Sequence, residues 1–293
     1  MNMESPPQPA VAPPCATQRV VKVGVNRQVA RNTFQIILED PAMARDILPG
    51  QFLMIRPPGG SDPLLGRPFA LYEVERYHDG EPMGISVVYT IVGKGTLGLS
   101  KVRPGDALSV WGPLGHPFGP PPSGDDVIFV AGGIGQTPFL ALGRWWLGLA
   151  DYGASRVTSP ARSATLLYGV RSVEMVAGVE DFQAAGIAVE LATDDGSTGH
   201  HGYVTDLLRR RLQQGDRPAK VVGCGPPPML ATLTRLVAEF GIPCDLSLEN
   251  HMACGFGVCF SCVAPIRQAD GSTDLRRVCV EGPVFAAESV VWT

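Results

Sequence analysis

Cys254, Cys259 and Cys262 are spaced C-x4-C-x2-C, and sixteen residues separate the third cysteine from the fourth, Cys279. No other stretch of the sequence constrains the chain so tightly. This is the plant-type spacing of a [2Fe–2S] cluster held by four thiolates. Three thiolates on one tight loop wrap two irons, and the fourth closes the cage from a later strand. Gly255 and Gly257 allow the backbone angles that such a loop needs and let amide N–H groups approach the sulfurs. Hydrogen bonds of that kind tune a cluster's potential.

Other uses of cysteine compete with this reading. Disulfides suit a secreted chain, but seven cysteines are an odd number and no charged-then-apolar leader opens the sequence. Zinc usually takes two C-x2–4-C pairs, and here the fourth cysteine stands alone, so zinc is the second reading. Buried structural thiols rarely cluster in this way. A [2Fe–2S] cluster passes single electrons, and the rest of the chain must say what feeds and drains it.

At 293 residues there is room for two or three domains, and 45% apolar against 18% charged residues can bury real cores. A net charge of −4 argues against nucleic acid as a partner. No apolar run reaches the roughly 18 residues that span a bilayer. The nearest, Phe139 to Ala150, is broken by Gly143, Arg144 and Gly148. The expectation is a cytoplasmic protein with reduced cysteines and no membrane contact.

Residues 1–16 are proline-rich and nearly uncharged, and read as a disordered tail in which Cys15 is a free thiol. Residues 17–119 read as a small antiparallel β-barrel. Arg19–Asn26, Thr33–Glu39, Gln51–Arg56, Ile85–Val92 and Ala107–Trp111 are strand-like, with turns at Pro49-Gly50 and Arg103-Pro104-Gly105-Asp106. Two spots carry chemistry. Arg67-Pro68-Phe69-Ala70 can fix a guanidinium toward a pyrophosphate. Gly93-Lys94-Gly95-Thr96 offers N–H groups and a hydroxyl to another phosphate oxygen. Each alone is more often a plain turn.

Beyond a linker at Pro120-Pro121-Pro122, residues 125–245 read as a doubly wound α/β sheet. Asp126–Ala131 is a continuous apolar run, as a strand covered on both faces should be. Gly132-Gly133-Ile134-Gly135-Gln136-Thr137-Pro138 follows, then a helix from Pro138 to about Ala150. A strand, a glycine turn and a helix start make an anion site, here without the G-x-G-x-x-G spacing. Thr165–Val170, a helix from about Ser172 to Ala185, Ala188–Thr193, a helix Val204–Gln213, Lys220–Gly223 and a helix Met229–Phe240 continue the alternation. Ligands of such sheets sit at strand C-termini. Asp194 and Asp195 are there to meet the adenosine end of a dinucleotide, and their charge favours NAD over NADP; a solvated acidic turn is the equal alternative. Cys224-Gly225-Pro226 would lie near the nicotinamide, although a lone cysteine is more often a small buried residue. Cys244 reads as buried and inert. Leu246–Glu249 reads as a strand delivering residues 246–293, the cluster segment, which is too short to bury a core without a neighbour's surface.

Taken in this order, the signatures resemble the ferredoxin–NAD(P) reductase superfamily, in which an Arg-x-x-Ser motif, a valine or aromatic stretch and a Gly-Thr loop hold FAD. Val88-Tyr89-Thr90 matches the middle stretch, and Ala70 stands where the serine is usual. With the iron–sulfur segment appended, the chain resembles the electron-transfer subunits of dihydroorotate dehydrogenase B from about Gln18 to Trp292. Gly223-Cys224-Gly225-Pro226, Leu248-Glu249 and Met252-Ala253-Cys254-Gly255-Phe256-Gly257 carry the likeness. His251 stands where that family often has arginine, which makes a fixed charge pH-dependent. The resemblance implies FAD, [2Fe–2S] and NAD as cofactors. It also implies an FMN-containing partner that oxidises dihydroorotate in pyrimidine synthesis, a heterotetramer of two plus two, and the cluster at the contact between subunits. The same three modules also serve sulfide dehydrogenase, hydrogenase and ferredoxin reductase assemblies. A non-catalytic redox sensor is a third reading.

Overall fold

The computed structural model describes residues 16–56 and 62–292. The expected disordered tail, Cys15 included, lies outside them apart from its last residue.

The first part contains β1 (Thr17–Ala30), β2 (Thr33–Glu39), α1 (Pro41–Asp46), β3 (Phe52–Arg56), β4 (Arg67–Ala70), β5 (Glu73–Arg76), β6 (Pro82–Thr90), α2 (Lys94–Leu99) and β7 (Ala107–Leu114). Its seven strands form one antiparallel sheet in the order β4-β3-β7-β1-β2-β6-β5. The corner after β4 bonds toward both sides of that order: Leu71 N–H donates to Gln51 O, just before β3, and Tyr72 N–H to Ser86 O on β6, each at 3.0 Å. The sheet therefore curls into the expected barrel. Alternating residues such as Val21, Val23, Ile36, Leu38, Leu53, Ile55 and Val87 fill it. Strands β4 and β5 are not evident in the sequence. They are four residues each, and β4 contains a proline that an edge position tolerates.

The second part runs β8 (Asp126–Gly132), α3 (Phe139–Trp146), β9 (Ser163–Val170), α4 (Val179–Ala184), β10 (Ala188–Thr193), β11 (His200–His201), α5 (Val204–Gln213), β12 (Lys220–Cys224), α6 (Pro227–Phe240) and β13 (Cys244–Ser247). The last part has a hairpin of β14 (Val263–Arg267) with β15 (Thr273–Arg277), then β16 (Val284–Ala286). The second sheet is ordered β11-β10-β9-β8-β12-β13-β16 and is parallel except for the final pair. The chain builds outward from β8 to β10, then returns to place β12 on β8's other side. The C-terminal crevice between β8 and β12 is thus a topological switch point.

Three sequence expectations change. The helix from Ser172 to Ala185 is a 3-10 turn (Val173–Met175) followed by the short α4. Gly178 separates them at φ +75°, and a Cβ there would meet the Tyr72 hydroxyl at 2.5 Å. Helix α3 stops at Trp146, ahead of Gly148 at φ +70°. The strand into the cluster segment begins at Cys244 and ends at Ser247, so it spans the expected 245/246 boundary, and β16 joins its edge. The cluster segment finds its packing within this chain.

The seam between barrel and parallel sheet is polar. Tyr72 Oη donates to Asp181 Oδ2 at 2.6 Å, and Tyr152 Oη to Glu73 Oε1 at 2.6 Å. Arg144 Nε stands 3.4 Å from Glu73 Oε2, a charge contact without hydrogen-bond geometry. Tyr72, Glu73, Arg144 and Asp181 line a cleft of about 470 Å³ with Arg27, Gln35 and Glu75. Burial raises the Glu73 carboxyl above its ordinary 4.5, against the opposing pull of Arg144 and Tyr152. A carboxyl raised in the folded chain favours folding at low pH, and that contribution fades as pH climbs from 4.5 through the raised value. Glu73→Gln should therefore gain on the wild type in thermal midpoint as pH rises above 4.5. Parallel stability curves would refute the burial account.

Candidate functional site

The four cluster cysteines converge. Met252–Ser261 forms an irregular loop in which Gly255 and Gly257 have φ +82° and +88°. Space, as well as backbone angle, demands glycine at both. A Cβ on Gly255 would lie 2.6 Å from Met54 Cγ, and one on Gly257 would lie 2.5 Å from Val280 Cγ2. The thiols group as two pairs within hydrogen-bonding reach, Cys254 with Cys259 and Cys262 with Cys279, and Cys279 also feels Cys254. Among the described residues, no three His, Cys, Asp or Glu side chains group as a single-ion site would require. Two pairs of thiols fit a two-iron cluster with two ligands per iron.

The pairs differ in surroundings. Cys259 is exposed, and its thiol is pushed down to about 6 by the Ser261 hydroxyl and amide first and by Cys254 next. Cys279 is buried, and its thiol is pushed up to about 12 by burial and then by Cys262. Ser261 also ties the loop together: its hydroxyl accepts from Ala253 N and donates to His251 O, both at 3.2 Å. Arg277 braces the loop's outer side. Its guanidinium donates to Gly257 O at 3.2 Å, lies 5.0 Å from the Phe260 ring centre and is held by Glu281 at 2.7 Å. Sequence reading missed this brace, although Arg277 and Glu281 lie within five residues of one another.

Arg67 and Ala70 are half-buried on β4. Arg67 Nη1 donates only to the carbonyls of Leu65 and Gly66, each at 3.0 Å, and no carboxylate pairs with it among the described residues. A guanidinium left without an anion fits a phosphate. Register puts Pro68 and Ala70 opposite Met54 and Phe52. That sheet face is the one Gly255 packs against through Met54 and Leu114. Phe69 points into the barrel, edge-on to Tyr89 at 5.7 Å. Tyr89 is itself buried, stacked 5.9 Å from Phe34, with its hydroxyl donating to Asn26 Oδ1 at 3.1 Å. The Tyr89 ring is thus barrel core, while neighbouring Val88 and Thr90 point to the other side of β6. The Thr96 hydroxyl, expected for a phosphate, instead accepts from Val92 N at 2.9 Å and Gly93 N at 3.3 Å and donates to Gly93 O at 3.2 Å. It shapes its own turn, and Gly95 and Thr96 open α2.

At the switch point the two glycine turns press together. A Cβ on Gly135 would lie 2.3 Å from Cys224 O, and one on Gly225 would lie 2.9 Å from Gly132 N. Gly132 and Gly135 thus face Cys224, Gly225 and Pro226 across the crevice, with Gly133 and Thr137 on the same turn. The Gln136 amide is fully enclosed beneath the turn, with both polar atoms lacking a hydrogen-bond partner among the described residues. Glu249, which the sequence offered only as part of a likeness, brings its carboxylate to 3.9 Å from Cys224 Sγ. That carboxylate is enclosed beside Cys224 although the residue keeps exposed surface elsewhere. Burial pushes both groups up, the carboxyl above 4.5 and the thiol well above 9.0, so Cys224 stays a neutral thiol. Asp194 and Asp195 are exposed after β10. Asp195 is committed to its own turn, accepting from the Ser197 hydroxyl at 2.6 Å and amide at 2.9 Å.

The described residues contain no helix long and apolar enough to cross a membrane. Residues 249–291 match the family described as the iron-sulfur cluster binding domain of dihydroorotate dehydrogenase B, and residues 129–235 match the oxidoreductase NAD-binding domain. The chain is 35% identical over 265 residues to the dihydroorotate dehydrogenase B (NAD(+)) electron transfer subunit of Desulforamulus reducens, covering 90% of this chain and 94% of that one. The equivalent subunit of Geobacillus thermodenitrificans is 36% identical over 90% of this chain and 95% of its own. Among solved structures, an NADH-dependent reduced ferredoxin–NADP oxidoreductase superposes with a TM-score of 0.77 at 26% identity, over 93% of this chain and 90% of that one. The ferredoxin–NADP+ reductase of Plasmodium falciparum shares the fold at a TM-score of 0.56 and 15% identity, over 75% and 90% of the two chains.

Cys259→Ser should abolish the visible and EPR signature of the cluster and leave flavin bound. A cluster retained at full occupancy would remove Cys259 from the ligand set.

Proposed function

We propose, from the premise that this chain belongs to the dihydroorotate dehydrogenase B electron transfer subunits, that its three parts each hold one redox group and that the barrel face shared by Pro68, Ala70 and the cluster loop is where electrons cross between two of them. The chain is an oxidoreductase subunit that uses [2Fe–2S], FAD and NAD and works with a catalytic partner subunit. When bound, the cluster supplies one-electron transfer, FAD joins single electrons into a pair, and NAD⁺ carries the pair away as hydride.

Cys254, Cys259, Cys262 and Cys279 hold the cluster in residues 246–293. Residues 17–119 hold FAD. Arg67 meets the pyrophosphate, Pro68 and Ala70 line the flavin from the sheet's outer face, and Val88 and Thr90 line it from β6. Phe69 and Tyr89 support that wall from inside the barrel, and the Gly95-Thr96 turn supplies backbone N–H groups. Residues 125–245 hold NAD at the switch point, with Gly132, Gly133, Gly135 and Thr137 on one side and Cys224, Gly225 and Pro226 on the other. Asp194 and Asp195 face the adenosine end. Cys224 is a neutral thiol there, and burial beside it disfavours the charged form of the Glu249 carboxyl. Ala70 offers no hydroxyl, so the flavin takes its polar contacts in this region from backbone groups.

The partner is read as an FMN subunit that oxidises dihydroorotate in the cytoplasm, in a complex of two plus two subunits. Phe256, Val258 and Phe260 support a docking face over the cluster. They are 55%, 73% and 60% exposed on one short loop, an apolar exposure that asks for a cover. The observation that carries the whole reading is Gly255 seated on Met54 and Leu114, because it sets the cluster loop on the flavin side of the barrel.

Arg67→Ala should weaken FAD retention by about 1.5–3 kcal/mol, the loss of a charge-assisted phosphate clamp. Equal FAD affinity in the two proteins, measured by flavin release on dilution, would make Arg67 structural only. Val258→Asp should lower affinity for the catalytic subunit and leave NADH–dye turnover by the isolated chain unchanged. Full complex formation by the variant would put the docking face elsewhere.

A further inference from the structure

Trp111 lies on β7 with no role in any of the expected motifs, yet it touches both sides of the proposed electron crossing. Its indole Nε1 donates to the carbonyl oxygen of Cys254 at 2.9 Å. The benzo end of the ring lies against Gly66, where an added Cβ would sit 2.4 Å from Cη2 and 2.9 Å from Cζ2. No side chain at position 66 could coexist with the ring where it stands. Gly66 immediately precedes Arg67, and its carbonyl is one of the two that hold the Arg67 guanidinium. One rigid side chain thus spans from the first cluster cysteine to the residue that starts the flavin-clamp strand.

The surroundings leave the ring little freedom. Strand register sets Met54 opposite both Pro68 and Trp111, so the three form one row across β4, β3 and β7. Met54 is fully buried, and its Cγ is where a Gly255 side chain would collide. Indole offers a single donor and no acceptor, and the cluster-loop carbonyl takes it. A leucine or phenylalanine would fill the same row without that bond. Packing on the barrel wall therefore does not account for the choice of tryptophan.

We propose that Trp111 is a positioning residue that fixes the cluster loop against the flavin-clamp strand, with the Cys254 peptide held by its N–H and Gly66 seated on its ring. The inference rests on the assignment of the cluster to the four cysteines and of FAD to the Arg67 strand. The indole is neither oxidised nor reduced. It sets the distance and orientation of the groups on either side. Its N–H polarises the Cys254 peptide, which strengthens the next amide as a donor toward the cluster sulfurs, and donors to sulfur favour the reduced, more negative cluster.

The test uses the full chain loaded with FAD and iron–sulfur cluster, as wild type, Trp111→Phe and Gly66→Ala. Three quantities are read: the g-values of the reduced cluster, its midpoint potential in a mediated titration, and the rate at which NADH bleaches the cluster relative to the rate at which it reduces the flavin in the same sample. Trp111→Phe should alter the g-values, move the midpoint to a more negative potential and slow relative bleaching several-fold. Gly66→Ala, which displaces the ring from its benzo end, should slow bleaching in the same way. Wild-type values for all three in Trp111→Phe would overturn the inference and leave Trp111 a packing residue. If Trp111→Phe fails to hold iron, Trp111→His, which keeps a ring N–H, should restore the cluster, and failure of that rescue also overturns it. A wild-type chain without a [2Fe–2S] EPR signal would overturn the ligand assignment first, and this inference with it.

Discussion

Close approach of two backbones, made possible by missing side chains, governs this molecule. Gly255 sits where a single methyl group would strike Met54 and Leu114, so the cluster loop lies directly on the barrel wall. Single electrons move efficiently only over short gaps, and a loop held off by even one side chain would widen this one. The same device recurs in the parallel sheet. Gly135 and Gly225 let the turns after β8 and β12 close on one another, which forms the crevice proposed to take the dinucleotide. The fold supplies rigid walls, and glycine sets the gaps between them.

Charge is managed differently at the two ends of the electron route. Around the cluster, Arg277 brings a cation to a loop rich in thiols, and Glu281 holds that cation in place. At the switch point burial raises both Cys224 and Glu249, so Cys224 stays a neutral thiol and the charged form of Glu249 is disfavoured. Disfavouring charge suits a site that passes a hydride, since a fixed anion would favour the cationic nicotinamide and bias the transfer. The barrel–sheet seam adds a third treatment. Its carboxyl groups, Glu73 buried and Asp181 exposed, accept from tyrosine hydroxyls and tie the two parts together through Tyr72–Asp181 and Tyr152–Glu73.

What the sequence disclosed follows from the range of the interactions involved. The cluster spacing, the apolar run of β8 with its glycine turn, and the helix Val204–Gln213 are local patterns, and the structure has them where the residues suggest. Strands β4 and β5 were hidden because four residues carry too little periodicity, and the pairing that creates them comes from β3 and β6. The long helix from Ser172 failed because Gly178 turns left-handed to make room for the Tyr72 hydroxyl, a contact more than a hundred residues away in sequence. The hydroxyl of Thr96 was assigned outward, yet its nearest amides claimed it. Trp111 carried no local signal at all. Its meaning depends on Cys254, Gly66 and Met54 arriving from three other parts of the chain.

The central claim is that electrons enter at the cluster and leave on NAD⁺, in partnership with a dihydroorotate-oxidising subunit. The direct measurement mixes this chain, loaded with FAD and cluster, with the FMN subunit from the same organism and follows NAD⁺ reduction after dihydroorotate is added. NADH formation that requires both chains, and that stops when the cluster is removed, is the predicted result. A chain that oxidises NADH with dyes but never couples to dihydroorotate would contradict the account and shift it toward a reductase that serves another partner, as the structural likeness to a ferredoxin–NADP oxidoreductase would then suggest.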